Sequence, residues 1–255
     1  MTPNTVPYED YRRSHQGKGL DYNEKFSHYP HRSVAWGIEQ RILLGILHAR
    51  FPTPGAVRLL DFACGTGRIL RLFEDRVGTS TGVDVADSML QVAQATLTRS
   101  ELLLADVTRS SSFDNRRFDL ITAFRFFPNA EHALRDSAMA KLASLLASDG
   151  LLIFNNHLRC TGTTMRARRV LQRLGRPQTE RRLHCMSDSE VEQLVATHGL
   201  HIVERHHLAL MPVLKEKRSF LPQAVLTRIE EWAADNARFD RFFNTKIYVV
   251  QSGTG

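Results

Sequence analysis

"LLDFACGTGRIL", residues 59–70, runs from an apolar strand through two glycines directly into a helix. Gly65 and Gly67 permit backbone conformations and a close ligand approach that a side chain would block. What rests on the turn decides how the chain is read. A dinucleotide fingerprint asks for a third glycine three residues after the second, where the helix packs on the strand. Leu70 stands there. A P-loop ends in Gly-Lys-Ser/Thr, which "GTGRIL" does not supply. Both phosphate-binding readings are weakened.

Outward from this loop the chain alternates short apolar runs with helix-like stretches from Val57 to Asn156, the pattern of a parallel sheet with crossover helices. "VRLLDFA" (57–63), "STGVDV" (80–85), "ELLLADV" (101–107), "FDLITAF" (118–124) and "LLIFNN" (151–156) read as five strands. "LHIVERHHL" (200–208) and "KIYVVQS" (246–252) add two more. "SMLQ" (88–91) and "SDSE" (187–190) read as capping boxes that open helices. A helix over about 131–147 places Leu134, Ala138, Leu142 and Leu145 on one face, and "SDG" ends it. Another, over about 33–50, places Ile38, Ile42 and Ile46 on one side, and "FPTPG" stops it. The expected fold class is α/β: a doubly wound, seven-stranded, mostly parallel sheet with helical cap and lid segments. Residues 1–50 read as an N-terminal lid and helix. Residues 51–255 read as the main domain, with cap insertions at about 158–186 and 211–245. In such sheets ligands bind beyond the carboxyl ends of the strands, at the topological switch point.

Three acids stand at that edge. Asp84 ends the second strand, where a carboxylate can accept hydrogen bonds from a ribose diol. Asp106, in "LLADV", is placed to accept from an adenine amino group. Asp61 interrupts an apolar strand just before the loop; it disfavours a pyrophosphate neighbour and favours a ligand that carries an ammonium. Each alone could be an exposed strand end or a helix cap. Three at successive strand ends point to one ligand.

Here the sequence resembles the class I S-adenosylmethionine-dependent methyltransferases, small-molecule type. "DFACGTG" is similar to their first motif, with Ala63 in the first glycine's place. "GVDVADSML" (82–90) resembles the second and "ADV" (105–107) the third. "RFDLITAFRFF" and "LLASDGLLIF" resemble the fourth and fifth strand segments, with Asp149 replacing a common glycine. The resemblance implies a Rossmann-like methyltransferase fold and S-adenosylmethionine as cofactor, with S-adenosylhomocysteine as product. It further implies a cofactor site of Asp61, Ala63, Gly65, Gly67, Asp84, Val85, Met89, Asp106, Val107 and Phe124. Phe124, Phe126 and Phe127 follow the fourth strand, close to the sulfonium that an aromatic face tolerates, or else they are core.

Methyl transfer from a sulfonium is an in-line displacement, and holding its atoms in line contributes about 7–11 kcal/mol. A base is needed only where the acceptor must lose a proton. His157, just past the fifth strand, is the candidate, since imidazole titrates near neutrality. His28 and His31 are weaker candidates on the lid, where Tyr22 and Tyr29 could help close over the cofactor; His206 and His207 read as structural. No metal is expected.

Eight arginines fall between Arg159 and Arg182, within a chain of net charge +7. Arginine forks suit carboxylate and phosphate, so an anionic small-molecule acceptor is one reading and a solvated helix face the other. Tyr22, His28, Arg125, Arg166 and Arg169 are the acceptor-site candidates. "FRFFPN" departs from the Asn/Asp-Pro-Pro-aromatic motif of many exocyclic-nitrogen methyltransferases. An RNA acceptor is the alternative, although no aromatic residues interleave with the arginines as a stacking platform requires. A non-enzymatic cofactor-binding regulator is a further alternative. O-methylation of a sugar-like, glycan-linked or natural-product hydroxyl is the leading expectation. Cys64, Cys160 and Cys185 are too scattered for a disulfide framework. With no membrane-length apolar run and a polar N-terminus, the expected location is cytoplasmic.

Overall fold

The computed structural model describes residues 30–157, 162–174, 186–210, 222–234 and 237–253. Its centre is a seven-stranded sheet of β1 (Arg58–Phe62), β2 (Thr79–Asp84), β3 (Glu101–Leu104), β4 (Phe118–Ala123), β5 (Leu146–His157), β6 (Leu200–Leu208) and β7 (Thr245–Ser252). The order is β3-β2-β1-β4-β5-β7-β6, and only β7 runs antiparallel to its neighbours. Chain direction across the sheet reverses between β1 and β4, which is the switch point where a ligand crevice forms.

Strand side chains alternate between two cores. Leu60, Phe62, Ile121, Leu152, Phe154 and Tyr248 face α4 (His132–Leu145) and α6 (Asp188–Thr197). Leu59, Leu120, Ile153, Ile247 and Val249 face the opposite layer, α1 (Pro30–Arg50), α2 (Arg68–Phe73) and α3 (Asp87–Gln94). α1 buries Val34, Ile38, Leu43, Ile46 and Leu47 against that face, with Ile42 half-buried. The two remaining helices, α5 (Thr163–Arg173) and α7 (Gln223–Ala234), lie within the expected insertions, and a 3-10 turn follows α7 over Ala237–Phe242.

The Ser187–Glu190 capping box is present at α6: Ser187 Oγ accepts from the Glu190 N–H, and Glu190 Oε2 accepts from the Ser187 N–H at 2.6 Å. The Ser88–Gln91 box is not. α3 begins at Asp87 with Ala86 at its cap, because Asp84 has already taken the turn, accepting the Ala86 N–H at 2.9 Å. Gln91 instead donates to Asp87 Oδ2 at 2.7 Å. "SDG" also differs from expectation. It lies inside β5, which leaves α4 at Leu146 and shifts register between Phe118 and Leu120. A Cβ on Gly150 would stand 2.9 Å from the Phe118 carbonyl, so the irregularity closes only around glycine. β3 stops at Leu104, and Asp106 lies in the loop beyond it.

At the other end of the sheet Lys246, 3% exposed, pairs with Asp188 at 3.0 Å and Asp240 at 2.6 Å. Tyr248 donates to Asp188 at 2.9 Å. These bonds fix the start of α6 and the 237–242 turn against β7. No helix among the described residues is long and apolar enough to cross a membrane.

Candidate functional site

The loop after β1 is built from alternating left-handed residues: Ala63 (φ 55°), Gly65 (φ 55°) and Gly67 (φ 74°). Gly67 has a second reason to be glycine, since a Cβ there would stand 2.6 Å from Leu97 Cδ1. Ala63 holds its left-handed conformation at a cost of about 1–2 kcal/mol. The missing third glycine is also accounted for. Leu70 packs into the space left by Gly82 in β2, where a Cβ would lie 2.4 Å from Leu70 Cδ1, so strand and helix approach closely from the strand's side.

Asp84 ties this loop to β2. Its Oδ2 accepts the Gly65 N–H at 2.8 Å while Oδ1 holds Ala86. A carboxylate offers about four lone-pair sites, so the same group can brace backbone N–H groups and accept from a diol. Val85 is half-buried beside it and Met89 is buried. Asp106 is half-buried; its Oδ1 accepts from the Thr108 N–H at 3.1 Å and Oγ at 2.6 Å, and Arg109 lies 3.6 Å from its Oδ2. The adjacent Val107 is buried.

Asp61 is the unusual group. It is 1% exposed, and Oδ1 accepts from the Thr122 hydroxyl at 2.7 Å across the β1–β4 register. Oδ2 is buried with no hydrogen-bond partner among the described residues. Burial pushes the carboxyl up to about 7, against the Thr122 bond and the Arg68 charge, which pull it down. An uncompensated buried oxygen of this kind is costly, and a cationic donor would satisfy it.

Above Asp61 lies a polar group that the sequence alone does not reveal. Arg68, at the start of α2, stacks over the Trp36 ring at 4.3 Å and stands 3.7 Å from Glu39. Glu39 is 1% exposed, and its Oε1 lies 3.5 Å from Asn155 Nδ2. Asn155 Oδ1 in turn accepts the Arg125 N–H at 2.7 Å. One signal was present: Glu39 lies a turn from Leu43 and two from Ile46, an acid within the buried stripe of α1.

Beyond β4, Arg125 adopts φ 61° and its carbonyl accepts from Asn129 Nδ2 at 2.5 Å. The same Asn129 amide lies 3.4 Å from Nε2 of His157, the half-buried last residue of β5. The structure thus gathers Arg125, Asn129 and His157 beyond the ends of β4 and β5. Phe126 and Phe127 are core rather than site residues: Phe126 packs edge-on to Phe62 at 4.7 Å and Phe127 lies 4.8 Å from Phe154. Phe124 is 7% exposed and faces the α1 layer. Tyr22, His28 and Tyr29, with Cys160 and Cys185, lie outside the described residues, as does the His31 side chain; Cys64 is a buried free thiol. His206 and His207 meet Glu204 and Asp240 at 3.1 and 2.9 Å.

Arg166 and Arg169 lie on the exposed side of α5. The aromatic partner missing from the arginine run comes from elsewhere in the chain, since Phe242 lies 5.1 Å below Arg166 and 4.8 Å below Arg241.

Residues 59–150, which hold the loop, Asp84 and Asp106, match the family described as "Methyltransferase domain". In this stretch the chain is similar to a methyltransferase domain. Among relatives, a dTDP-3-amino-3,6-dideoxy-alpha-D-glucopyranose N,N-dimethyltransferase of Streptomyces fradiae is 33% identical over 149 residues, covering 57% of this chain and 51% of that protein. The ubiquinone/menaquinone biosynthesis C-methyltransferase UbiE of Bordetella parapertussis is 33% identical over 106 residues, 39% of this chain and 40% of its own. The chain thus spans about half the length, or less, of these two relatives. Magnesium protoporphyrin IX methyltransferase from Synechocystis PCC 6803, solved with bound S-adenosylhomocysteine, shares the fold with a TM-score of 0.61 at 14% identity, over 95% of this chain and 97% of that one. The same Synechocystis protein has also been solved with bound S-adenosylmethionine. The residues present fit it: the buried Oδ2 of Asp61, with no hydrogen-bond partner among the described residues, suits its ammonium.

Proposed function

We propose that this chain is an S-adenosylmethionine-dependent methyltransferase that acts on a small molecule, with a hydroxyl of a sugar-like, glycan-linked or natural-product acceptor as the methylated group. The buried, unpartnered Oδ2 of Asp61 beside a left-handed loop carries the cofactor half of this reading, because it asks for a cation where a pyrophosphate would be repelled. The sugar nucleotide named for the Streptomyces fradiae relative supports the acceptor half. That relative methylates nitrogen, which favours an amino sugar as a second reading.

When bound, the cofactor supplies an electrophilic methyl on a sulfonium and leaves as S-adenosylhomocysteine. Asp61 would hold the ammonium and Asp84 the ribose, with the Asp106 turn beside the base. Met89, Val85, Val107 and Phe124 would supply apolar walls. Arg125 and the α5 arginines Arg166 and Arg169 would meet an anionic acceptor group. His157, steadied by Asn129, would take the acceptor's hydroxyl proton on a ring nitrogen as the oxygen–methyl bond forms.

Calorimetric titration should give micromolar binding of S-adenosylmethionine and no signal with NADH; the reverse would overturn the cofactor assignment. With an acceptor found by screening sugars and sugar phosphates, His157→Ala should reduce turnover by about 10²–10⁴-fold, the range of general-base contributions. Cofactor affinity should be unchanged. A fully active variant removes His157 from the chemistry.

A further inference from the structure

We propose that the face formed by α5, the 237–242 turn and α7 docks onto an anionic lipid surface. Five large apolar side chains are exposed among the described residues, and four of them lie on these elements: Val170 (54%), Leu174 (70%), Val225 (40%) and Trp232 (61%). Their spacing puts them beside arginines. On α5, exposed Arg166, Arg169 and Arg173 share one side of the helix with Val170 and Leu174, three, four and seven residues apart. On α7, exposed Arg228 lies between Val225 and Trp232 at the same spacing. The turn joins the two helices. Trp232 packs against Phe239 at 5.2 Å, and Arg166 and Arg241 lie over Phe242.

The acids of these elements are already engaged. Asp240 holds Lys246 and His207, Glu231 pairs with Arg41, and buried Glu230 accepts the Leu210 N–H at 2.7 Å. The described part of α5 contains no acid at all. What this face presents is therefore guanidinium charge interspersed with aliphatic and indole surface.

That combination selects among anionic partners. A nucleic acid would use the arginines, but Val170, Leu174 and Val225 have no flat face on which a base could stack. A lipid interface uses all of them: guanidinium forks meet headgroup phosphates, the indole sits at headgroup depth, and aliphatic side chains enter the acyl boundary. The placement also matters. Asn244, one residue before β7, accepts the Thr164 N–H at 2.7 Å and so anchors α5 where Thr245 pairs with His157. Docking through this face would bring the end of β5 and the start of β7 toward the membrane, so that an amphiphilic acceptor could enter from it. The docking needs no methyl transfer; only its link to the acceptor rests on the methyltransferase reading.

The test is co-sedimentation of the full chain with phosphatidylglycerol/phosphatidylcholine vesicles and with phosphatidylcholine alone, alongside S-adenosylmethionine titration. The chain should bind the mixed vesicles and largely ignore the neutral ones. Combining Arg173→Glu, Arg228→Glu and Arg241→Glu should weaken vesicle binding by about a hundredfold, since each basic residue near an anionic surface contributes severalfold. Trp232→Ala alone should weaken it measurably. All of these side chains are exposed, and unchanged cofactor affinity in both variants will show that the fold is kept. Equal binding to both vesicle types, or binding to neither, overturns the proposal. So does tRNA binding lost in the triple variant while vesicles are ignored. Vesicle binding without cofactor binding would leave the docking standing and remove the methyltransferase reading instead.

Discussion

Replacing Asp61 by asparagine should weaken S-adenosylmethionine binding on the order of a hundredfold or more, from the about 2–5 kcal/mol lost when one member of a buried, hydrogen-bonded charge pair is removed. Asparagine keeps the volume and can still accept from Thr122, so the loss reads the charge rather than the shape. The pH dependence is a sharper signature. Burial raises this carboxyl to about 7, with Asp84 adding to the rise and Thr122 and Arg68 opposing it. An ammonium ligand needs the ionised form, so affinity should level off above about pH 7 and fall roughly tenfold per unit below it. Binding at pH 6 should release close to one proton, which titration in two buffers of different ionisation enthalpy will detect.

The same shift governs the empty protein. The folded-state value lies above the ordinary 3.8, so between about pH 4 and 7 the native state holds a proton that the unfolded chain has lost. This group's contribution to stability is therefore greatest at acidic pH and is lost as pH rises through 7. Asp61→Asn should remove that slope and make the ligand-free protein more stable at pH 8, while binding the cofactor poorly. A flat affinity profile between about pH 6 and 8 would mean that no ammonium rests on Asp61.

Much of the frame could be read from periodicity and turn residues, because these act locally. The strands from 57 to 156, the helix stop at "FPTPG" and the Ser187 box all follow from near neighbours in sequence. The misses arise from contacts and backbone turns that strand and helix periodicity does not encode. The Ser88 box lost to Asp84, a carboxylate that reaches the same turn from a strand end while also tying down Gly65. β5 could begin at Leu146 because Gly150 lets the strand bulge against Phe118. The grouping of Asp61, Asp84 and the two glycines was visible as strand-end chemistry. Glu39, Trp36 and Asn155 were not, since Glu39 and Asn155 are 116 residues apart and meet only after α1 packs on the sheet. Of the two readings open for Phe126 and Phe127, the core one holds: the left-handed Arg125 turns the chain at the end of β4, and the rings beyond it pack inward.

Asp84→Ala should be the most damaging single substitution in the candidate site, because one side chain carries three tasks. It holds the Gly65 N–H, the Ala86 N–H at the start of α3 and, in the proposed cofactor complex, the ribose. Hydrogen bonds to a charged group contribute about 1.5–3 kcal/mol each. With two such bonds removed, the variant should therefore lose roughly 3–6 kcal/mol of stability and at least about a hundredfold in cofactor affinity. Lost affinity alone would not separate a ribose ligand from a loop brace, since a collapsed loop also fails to bind. Substrate chemistry can separate them. The parent should prefer S-adenosylhomocysteine over its 2′-deoxy analogue, whereas Asp84→Ala should bind both equally weakly, and the difference of differences isolates the contact between carboxylate and diol. Asp84→Asn provides the control. Its single amide oxygen cannot serve both N–H groups, so it should lose stability as well, yet it can retain part of the preference for ribose. If the 2′-hydroxyl preference survives intact in Asp84→Ala, the aspartate only braces the loop, and the ribose is held by other residues.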